Sequence, residues 1–376
     1  MQKEIQLIYF NAGGGHRSAA LALKEVIEAK HSDWNVSLIN LFEVIDTERN
    51  FQKLTGFAPE DLYNLRLKKG WTLGLATELK VLQAIIRFSH AKIKRKLQPY
   101  WRLTRPSMVV SLVPNFNKVM WDALHQECPN VPYVTVMTDI ADHPPHFWIE
   151  EGQDQHLICG SARAMAQAQA AGYQNHQLTQ TSGMILRPGF YQTARVDKES
   201  MCAELGLDPT KPTGLVMFGG NGSNQMLRIA KDLSDTQLIL VCGHNVTLAR
   251  NIEVLKAPAK HVVLGFTSDV DRFMSLCDFF IGKPGPGSLS EAIHMGLPVI
   301  TFKNSLTMPQ ERYNATWVKE NHLGIVVTSV GEMKTAAREL LARLPAFKEA
   351  VGRIENRAVF EVVTTLEKII DASQAA

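Results

Sequence analysis

Hydrophobic positions in this chain fall mainly in short uninterrupted runs, each ended by glycine or polar residues, and these alternate with segments of helical period. Ile5–Phe10 (IQLIYF) has a strand's length and runs straight into Asn11-Ala12-Gly13-Gly14-Gly15-His16. A helical pattern follows, with Ala19, Leu21, Leu23, Val26 and Ile27 on one side, and Val36–Leu41 forms a second strand. This βαβ opening predicts an open parallel sheet. Met108–Leu112, Tyr133–Thr138, Leu157–Cys159, a helix over Ala162–Ala171 and Met184–Leu186 continue the alternation until Arg187-Pro188-Gly189 breaks it.

The second half starts again in the same way. Leu215–Phe218 is a strand, Gly219–Ser223 a glycine turn and Gln225–Leu233 a helix. Strands at Leu238–Cys242 and Val262–Leu264, a helix over Val270–Leu276 and a strand from Phe279 follow. The chain closes with a helix over Arg353–Ser373, with Val359, Val362, Val363, Leu366 and Ile369 on its apolar side. The pattern therefore predicts an α/β protein of two similar domains, residues 1–188 and 189–350, plus a closing helix over 351–376, with ligand bound in a cleft between the domains.

Length and composition agree with that plan. The chain's 376 residues suit two domains that each bury a core, and 45% hydrophobic with 20% charged residues describes a soluble globular protein. No apolar run reaches the length of a membrane span, and MQKEIQLIYF reads as the start of a strand instead of a signal peptide. Five scattered cysteines without a CxxC pair read as reduced, cytosolic core residues and not as a zinc site or disulfide framework. A net charge of +3 names no partner in bulk.

The candidate chemistry centres on Phe279–Phe302 (FFIGKPGPGSLSEAIHMGLPVITF). A strand, a loop holding Gly282, Gly285 and Gly287, and a helix from about Ser288 together make an anion site, because backbone can approach closely and the helix N-terminus faces negative charge. Lys283 adds a cation, and Glu291 one turn into the helix suits the hydroxyls of a ribose, so the combination suggests a nucleotide. The spacing Ser288-x-x-Glu291 also fits a capping box, and the two readings can coexist. Near the amino terminus, GGG-His lacks a Walker Lys-Ser/Thr and the G-x-G-x-x-G spacing, and strand two ends near Asn40 instead of an acidic residue, which argues against a nicotinamide cofactor. It places His16 either at the ligand edge of the sheet or simply in solvent.

Thr138-Asp139-Ile140-Ala141-Asp142-His143-Pro144-Pro145-His146 gathers two aspartates and two histidines, but its prolines prevent a helix carrying them on one face, so a metal site is not expected and a polar loop beside His16 is. Gln310, Glu311 and Asn314 share one face at a helix start, where they could bond a sugar or serve ordinary helix-start chemistry. Arg87–Arg105 carries seven basic and no acidic residues, interleaved with Phe88, Tyr100 and Trp101. That composition fits anionic lipid headgroups, nucleic acid or a solvated helix face.

Taken together, GGGHRSA at Gly13–Ala19, LYNLRLKKGW at Leu62–Trp71, VTVMTD at Val134–Asp139, the Arg187-Pro188 pair, FGGNGS at Phe218–Ser223, LVCGHN at Leu240–Asn245, LGF at Leu264–Phe266, KPGPGSLSEAI at Lys283–Ile293 and PQERYNA at Pro309–Ala315 resemble the monogalactosyldiacylglycerol synthase family. More distantly they resemble the peptidoglycan N-acetylglucosaminyltransferase. The resemblance implies a GT-B fold of two Rossmann-like domains facing each other across a cleft. It also implies an inverting, metal-independent transfer of a hexose from a UDP-sugar to a diacylglycerol-like lipid, with no cofactor and no nucleic acid partner.

On this resemblance Gly285, Pro286, Gly287 and Ser288 match the diphosphate loop and Glu291 the ribose carboxylate. Gly265 and Phe266 match the uracil edge, and Gly220, Gly222 and Ser223, with His244, the remaining donor contacts. Gln310 and Glu311 match the sugar-hydroxyl pair. His16 lies where the family has its candidate general base, with Asp139 as second base or orienting partner. Gly14, Gly15, Trp71, Lys94, Arg95, Lys96 and Trp101 fall to the acceptor and an anionic membrane surface, which implies peripheral attachment to the inner face of the cell membrane.

Asn221 and Lys283-Pro284 depart from the plant-type pattern within the donor pocket, so the resemblance does not name the sugar. A GT-B enzyme acting on a soluble or secondary-metabolite acceptor, and a non-catalytic nucleotide-sugar or lipid-binding module, are the competing readings.

Overall fold

The computed structural model describes residues 2–11, 14–46, 75–192 and 197–375. They form two compact units, residues 1–188 with 356–376, and residues 189–355. In the first, β1 (Lys3–Tyr9), α1 (Gly15–Lys30), β2 (Trp34–Asn40) and α2 (Leu41–Ile45) precede α3 (Leu75–Phe88) and α4 (His90–Thr104). Then come β3 (Met108–Ser111), α5 (Asn117–Glu127), β4 (Tyr133–Val136), β5 (His156–Cys159), α6 (Ala162–Ala170) and β6 (Leu178–Gln180). All five strand pairings are parallel, in the order β2-β1-β3-β4-β5-β6. The near-continuous apolar strands follow from this, because helices cover both faces of such a sheet.

The second unit runs α7 (Lys198–Leu205), β7 (Thr213–Met217), α8 (Gln225–Asp232), β8 (Gln237–Val241), α9 (Val246–Glu253), β9 (His261–Leu264), α10 (Val270–Met274) and β10 (Phe279–Gly282). It continues with α11 (Pro286–His294), β11 (Val299–Phe302), α12 (Arg312–Glu320), β12 (Gly324–Val327), α13 (Met333–Ala342) and α14 (Leu344–Gly352). Its sheet is parallel throughout in the order β12-β11-β10-β7-β8-β9. Each sheet therefore has one point where strand order reverses, between β1 and β3 in the first and between β7 and β10 in the second. Open α/β sheets bind ligands at the carboxyl ends of the strands flanking that point.

Three elements differ from the sequence expectation. Residues 184–186 are not a strand; the sixth strand is β6, Leu178–Gln180. β12 is an additional strand whose first residue, Gly324, approaches β11 so closely that a Cβ would lie 1.9 Å from the Val299 carbonyl oxygen. The last helix, α15 (Ala358–Ala375), starts later than Arg353. The buried Asn356 stops the chain from being helical there: its Nδ2 donates to the Met184 carbonyl at 3.0 Å and its Oδ1 accepts from the Ala358 N–H at 3.0 Å. α15 lies along α1, where Lys30 pairs with Glu367 at 2.6 Å, and Lys3 at the start of β1 pairs with Asp371 at 3.2 Å. Among the described residues, no helix is long and apolar enough to cross a membrane.

Candidate functional site

The first sheet's reversal point carries the histidine. β1 ends at Tyr9, and α1 begins at Gly15 with Gly14 as its N-cap at φ +81°, a left-handed conformation that glycine adopts without strain. This sharp entry sets His16 in the first turn of α1. Its Nδ1 lies 3.1 Å from the Thr138 hydroxyl, beyond the end of β4. Burial pushes the His16 pKa down from 6.5 to about 4, and a hydrogen bond with the Leu112 backbone, just past β3, opposes the shift. The ring is therefore neutral at pH 7, with one nitrogen unprotonated, and is a weaker base than a solvated imidazole.

Trp148 links the two candidate bases. Its ring centroid is 5.9 Å from that of His16, and its indole N–H donates to Asp139 Oδ2 at 2.9 Å. Asp139 is buried, so that hydrogen bond helps to satisfy a carboxylate held out of water. The neighbouring Asp142 organises the loop, accepting from the His146 N–H at 2.9 Å and the Trp148 N–H at 2.7 Å. Burial raises its pKa against those bonds. Among the described residues, no group of three or more His, Cys, Asp or Glu side chains is arranged to hold a metal ion.

At the second sheet's reversal point the two glycine turns meet. After β7, Gly219 (φ +78°) and Gly222 (φ +60°) turn the chain, and the Gly222 N–H bonds back to the Gly219 carbonyl at 3.1 Å. The Ser223 hydroxyl closes the turn by accepting from the Gln225 N–H at 3.3 Å. The His244 N–H donates to the Gly220 carbonyl at 2.9 Å, and the His244 ring stacks on Phe266 with centroids 4.3 Å apart and planes at 11°. Phe266 is 63% exposed, so the pair offers a flat aromatic surface beside Gly265 and the turn.

After β10, α11 starts at Pro286 with Gly285 as N-cap and no side chain capping it. Ser288 thus sits inside the helix, where its hydroxyl reaches back to the Gly285 carbonyl at 3.4 Å. The capping-box alternative requires Ser288 at the N-cap, so this geometry removes it. Proline at the first helical position has no N–H to leave open, and the following Gly287 has open space where a Cβ would stand. Open backbone N–H groups and the helix dipole give this end the chemistry to take an anion.

Lys283 stands beside it, though not as a free cation. Its Nζ is 2.6 Å from Glu311 Oε1, and Glu311 is buried. Asn314 fixes the same loop by donating to the Pro284 carbonyl at 2.8 Å, while its buried Oδ1 finds no partner among the described residues. Gln310 and Glu311 lie on a 3₁₀ turn, Pro309–Glu311, that leads into α12.

The acceptor-side residues divide. Trp71 lies outside the described residues. Trp101 is 1% exposed and packs in the core, with its indole N–H on Gln6 Oε1 at 3.2 Å, so it cannot rest on a membrane. Lys94 is half-buried on α4 and Arg95 and Lys96 are exposed, although Lys96 Nζ is 2.6 Å from the Ile45 carbonyl. An apolar face that sequence reasoning missed lies on the adjacent α3: Val81, Leu82, Ile85 and Phe88 are all exposed, Phe88 by 92%. Their i, i+1, i+4, i+7 spacing was the available signal.

Known proteins fit this geometry. The model of the monogalactosyldiacylglycerol (MGDG) synthase family matches residues 16–183, and that of the glycosyltransferase family 28 C-terminal domain matches residues 216–336. A probable monogalactosyldiacylglycerol synthase 2, chloroplastic, from Oryza sativa subsp. japonica is 26% identical over 98% of this chain and 81% of its own. Monogalactosyldiacylglycerol synthase 1, chloroplastic, of Arabidopsis thaliana is 27% identical over 98% of this chain and 71% of its own. Among solved structures, Acinetobacter baumannii MurG superposes with a TM-score of 0.64 at 13% identity, covering 97% of this chain and 99% of that one. The calicheamicin glycosyltransferase CalG4 gives a TM-score of 0.60 at 12% identity, over 99% of each chain. With the synthase model matching the half that holds His16 and the glycosyltransferase model the half that holds the α11 loop, the chain is a GT-B glycosyltransferase whose resemblance to the monogalactosyldiacylglycerol synthases runs through nearly its whole length.

Proposed function

We propose that this enzyme moves a hexose from a UDP-sugar to a diacylglycerol-like lipid at an anionic membrane surface. The reaction is a single inverting displacement. The observation that carries the reading is the uncapped N-terminus of α11, which lies beside a second glycine turn at one sheet's reversal point, with the stacked His244–Phe266 pair joined to that turn through the Gly220 carbonyl. A diphosphate suits the helix end, and a flat base suits the aromatic pair. Glu291 supplies the carboxylate for the ribose, and Gln310 with Glu311 faces the sugar.

In the step itself the acceptor hydroxyl oxygen bonds to the anomeric carbon as the bond to the diphosphate oxygen breaks. The electron pair leaves with UDP, and the hydroxyl proton passes to His16, which Thr138 and Trp148 hold in place. Asp139, tied to Trp148, orients this pair. Fixed N–H groups and the ammonium of Lys283 meet the departing charge, so the reading needs no metal. The membrane side is α3 with its apolar face, together with the basic face of α4, and the protein attaches peripherally at the inner face of the cell membrane.

The test is UDP release by the purified protein across a panel of UDP-sugars, with and without diacylglycerol in anionic liposomes. Release that requires diacylglycerol and yields a glycolipid of inverted anomeric configuration is the expected result. Equal release with soluble acceptors, or donor binding without release, would overturn the lipid acceptor. Activity lost with chelator and restored by a divalent cation would overturn the metal-free step.

A further inference from the structure

The ion pair between Lys283 and Glu311 joins two parts of the site that have separate tasks. Lys283 leaves β10 toward the diphosphate end of α11, and Glu311 enters from the turn before α12, 28 residues later. The Lys283 stem runs between the two glycine turns: its Cε lies 3.4 Å from where a Cβ on Gly285 would stand and 3.7 Å from that on Gly219. An ammonium has three N–H donors, and Glu311 Oε1 takes one. The side chain keeps 38% exposure, against 8% for that of Glu311, so the cation can still meet an incoming anion while the carboxylate stays buried.

We propose that Lys283 is a positioning residue that ties Glu311 to the donor's diphosphate, so that Glu311 reads a sugar hydroxyl only on a donor whose diphosphate is seated. This rests on the UDP-sugar reading. A carboxylate accepts through both oxygens, so Glu311 can hold the Lys283 ammonium with one and accept from a hydroxyl with the other. Sharing one cation fixes the distance between the phosphate and the hydroxyl being read. Asn314 keeps that loop in register through the Pro284 carbonyl.

The experiment compares wild type, Lys283→Met, Lys283→Arg, Glu311→Gln and the Met/Gln double variant. Two quantities are read: UDP affinity by calorimetry, and the ratio of kcat/KM between UDP-galactose and UDP-glucose. Lys283→Met is expected to weaken UDP about tenfold and to lower the sugar preference to the level of Glu311→Gln, with no further loss in the double variant. Lys283→Arg should restore UDP affinity. Glu311→Gln, which keeps the side-chain shape, should leave UDP binding intact while losing the preference. Weakened UDP binding with unchanged sugar preference would overturn the proposal, as would additive losses in the double variant or a wild type indifferent to the sugar. A wild type that binds no UDP at all would instead overturn the donor reading itself.

Discussion

His16 gains its character from three neighbours far from it in sequence: the Thr138 hydroxyl, the Leu112 backbone and the Trp148 ring. Its pKa of about 4 has a consequence that kinetics can read. The profile of kcat/KM reports groups of the free enzyme, so its acid limb is expected to fall near pH 4 instead of near 6.5. His16→Ala should cost about a hundredfold or more in kcat with donor affinity unchanged. A limb near 6.5 that survives this substitution would remove His16 from the base role. The same displacement affects stability. The folded pKa lies below the unfolded one, so between about pH 6.5 and 4 the unfolded chain binds the extra proton. Stability from this residue is thus full above the upper value and is lost as pH falls through that window. The sequence shows a histidine at a glycine turn, and nothing local tells that Thr138, Leu112 and Trp148 close around it. Likewise Lys283 and Glu311 are legible as a cation and a carboxylate, but their pairing depends on β10 and the turn before α12 lying side by side.

At the scale of elements, the alternation of apolar runs and helical segments was enough to place most strands, because parallel strands covered on both faces are continuous in hydrophobicity. It failed where something other than apolarity decides. β12 begins on a glycine, which weakens the pattern, yet the close approach to Val299 requires that residue. α11 begins at Pro286 because proline and glycine suit a helix entry, although both read as breakers. Trp101 departs from the basic-aromatic expectation because composition does not separate the faces of a helix, whereas Ile93, Leu97 and Trp101 at i, i+4 and i+8 mark a core stripe. Gly243 tests how tightly the donor-side turns are built. It has φ +59°, and a Cβ there would lie 2.1 Å from the Gly220 carbonyl oxygen. Gly243→Ala is expected to destabilise the protein by about 2–4 kcal/mol in urea unfolding, from left-handed strain plus the clash. A change under about 0.5 kcal/mol would mean that the turn relaxes freely.

For the molecule as a whole, His16 after β1 and the two glycine turns after β7 and β10 lie at the points where strand order reverses, which is where adjacent loops of an open α/β sheet diverge. What the sheets leave over is the surface of α3 and α4. α3 buries Ile86 and turns Val81, Leu82, Ile85 and Phe88 outward, and it is tied down by Gln83, whose Nε2 donates to Asn115 Oδ1 at 3.2 Å and to the His146 carbonyl at 3.3 Å. The apolar face therefore sits on a helix anchored to the loop that carries Trp148. Exposed Lys92 and Arg95 flank it on α4, whereas Arg102 is already engaged by Glu127 at 2.8 Å. Binding to anionic liposomes should weaken as salt rises, since headgroup attraction is screened. Ile85→Ser with Phe88→Ser should lower partitioning at least tenfold, because inserting either side chain is worth about 1.5–3 kcal/mol. Trp101→Ala should behave differently: as a core truncation it is expected to cost about 3–5 kcal/mol of stability, while the folded fraction keeps its liposome affinity. Binding indifferent to salt and to the α3 substitutions would show that this face does not meet the lipid.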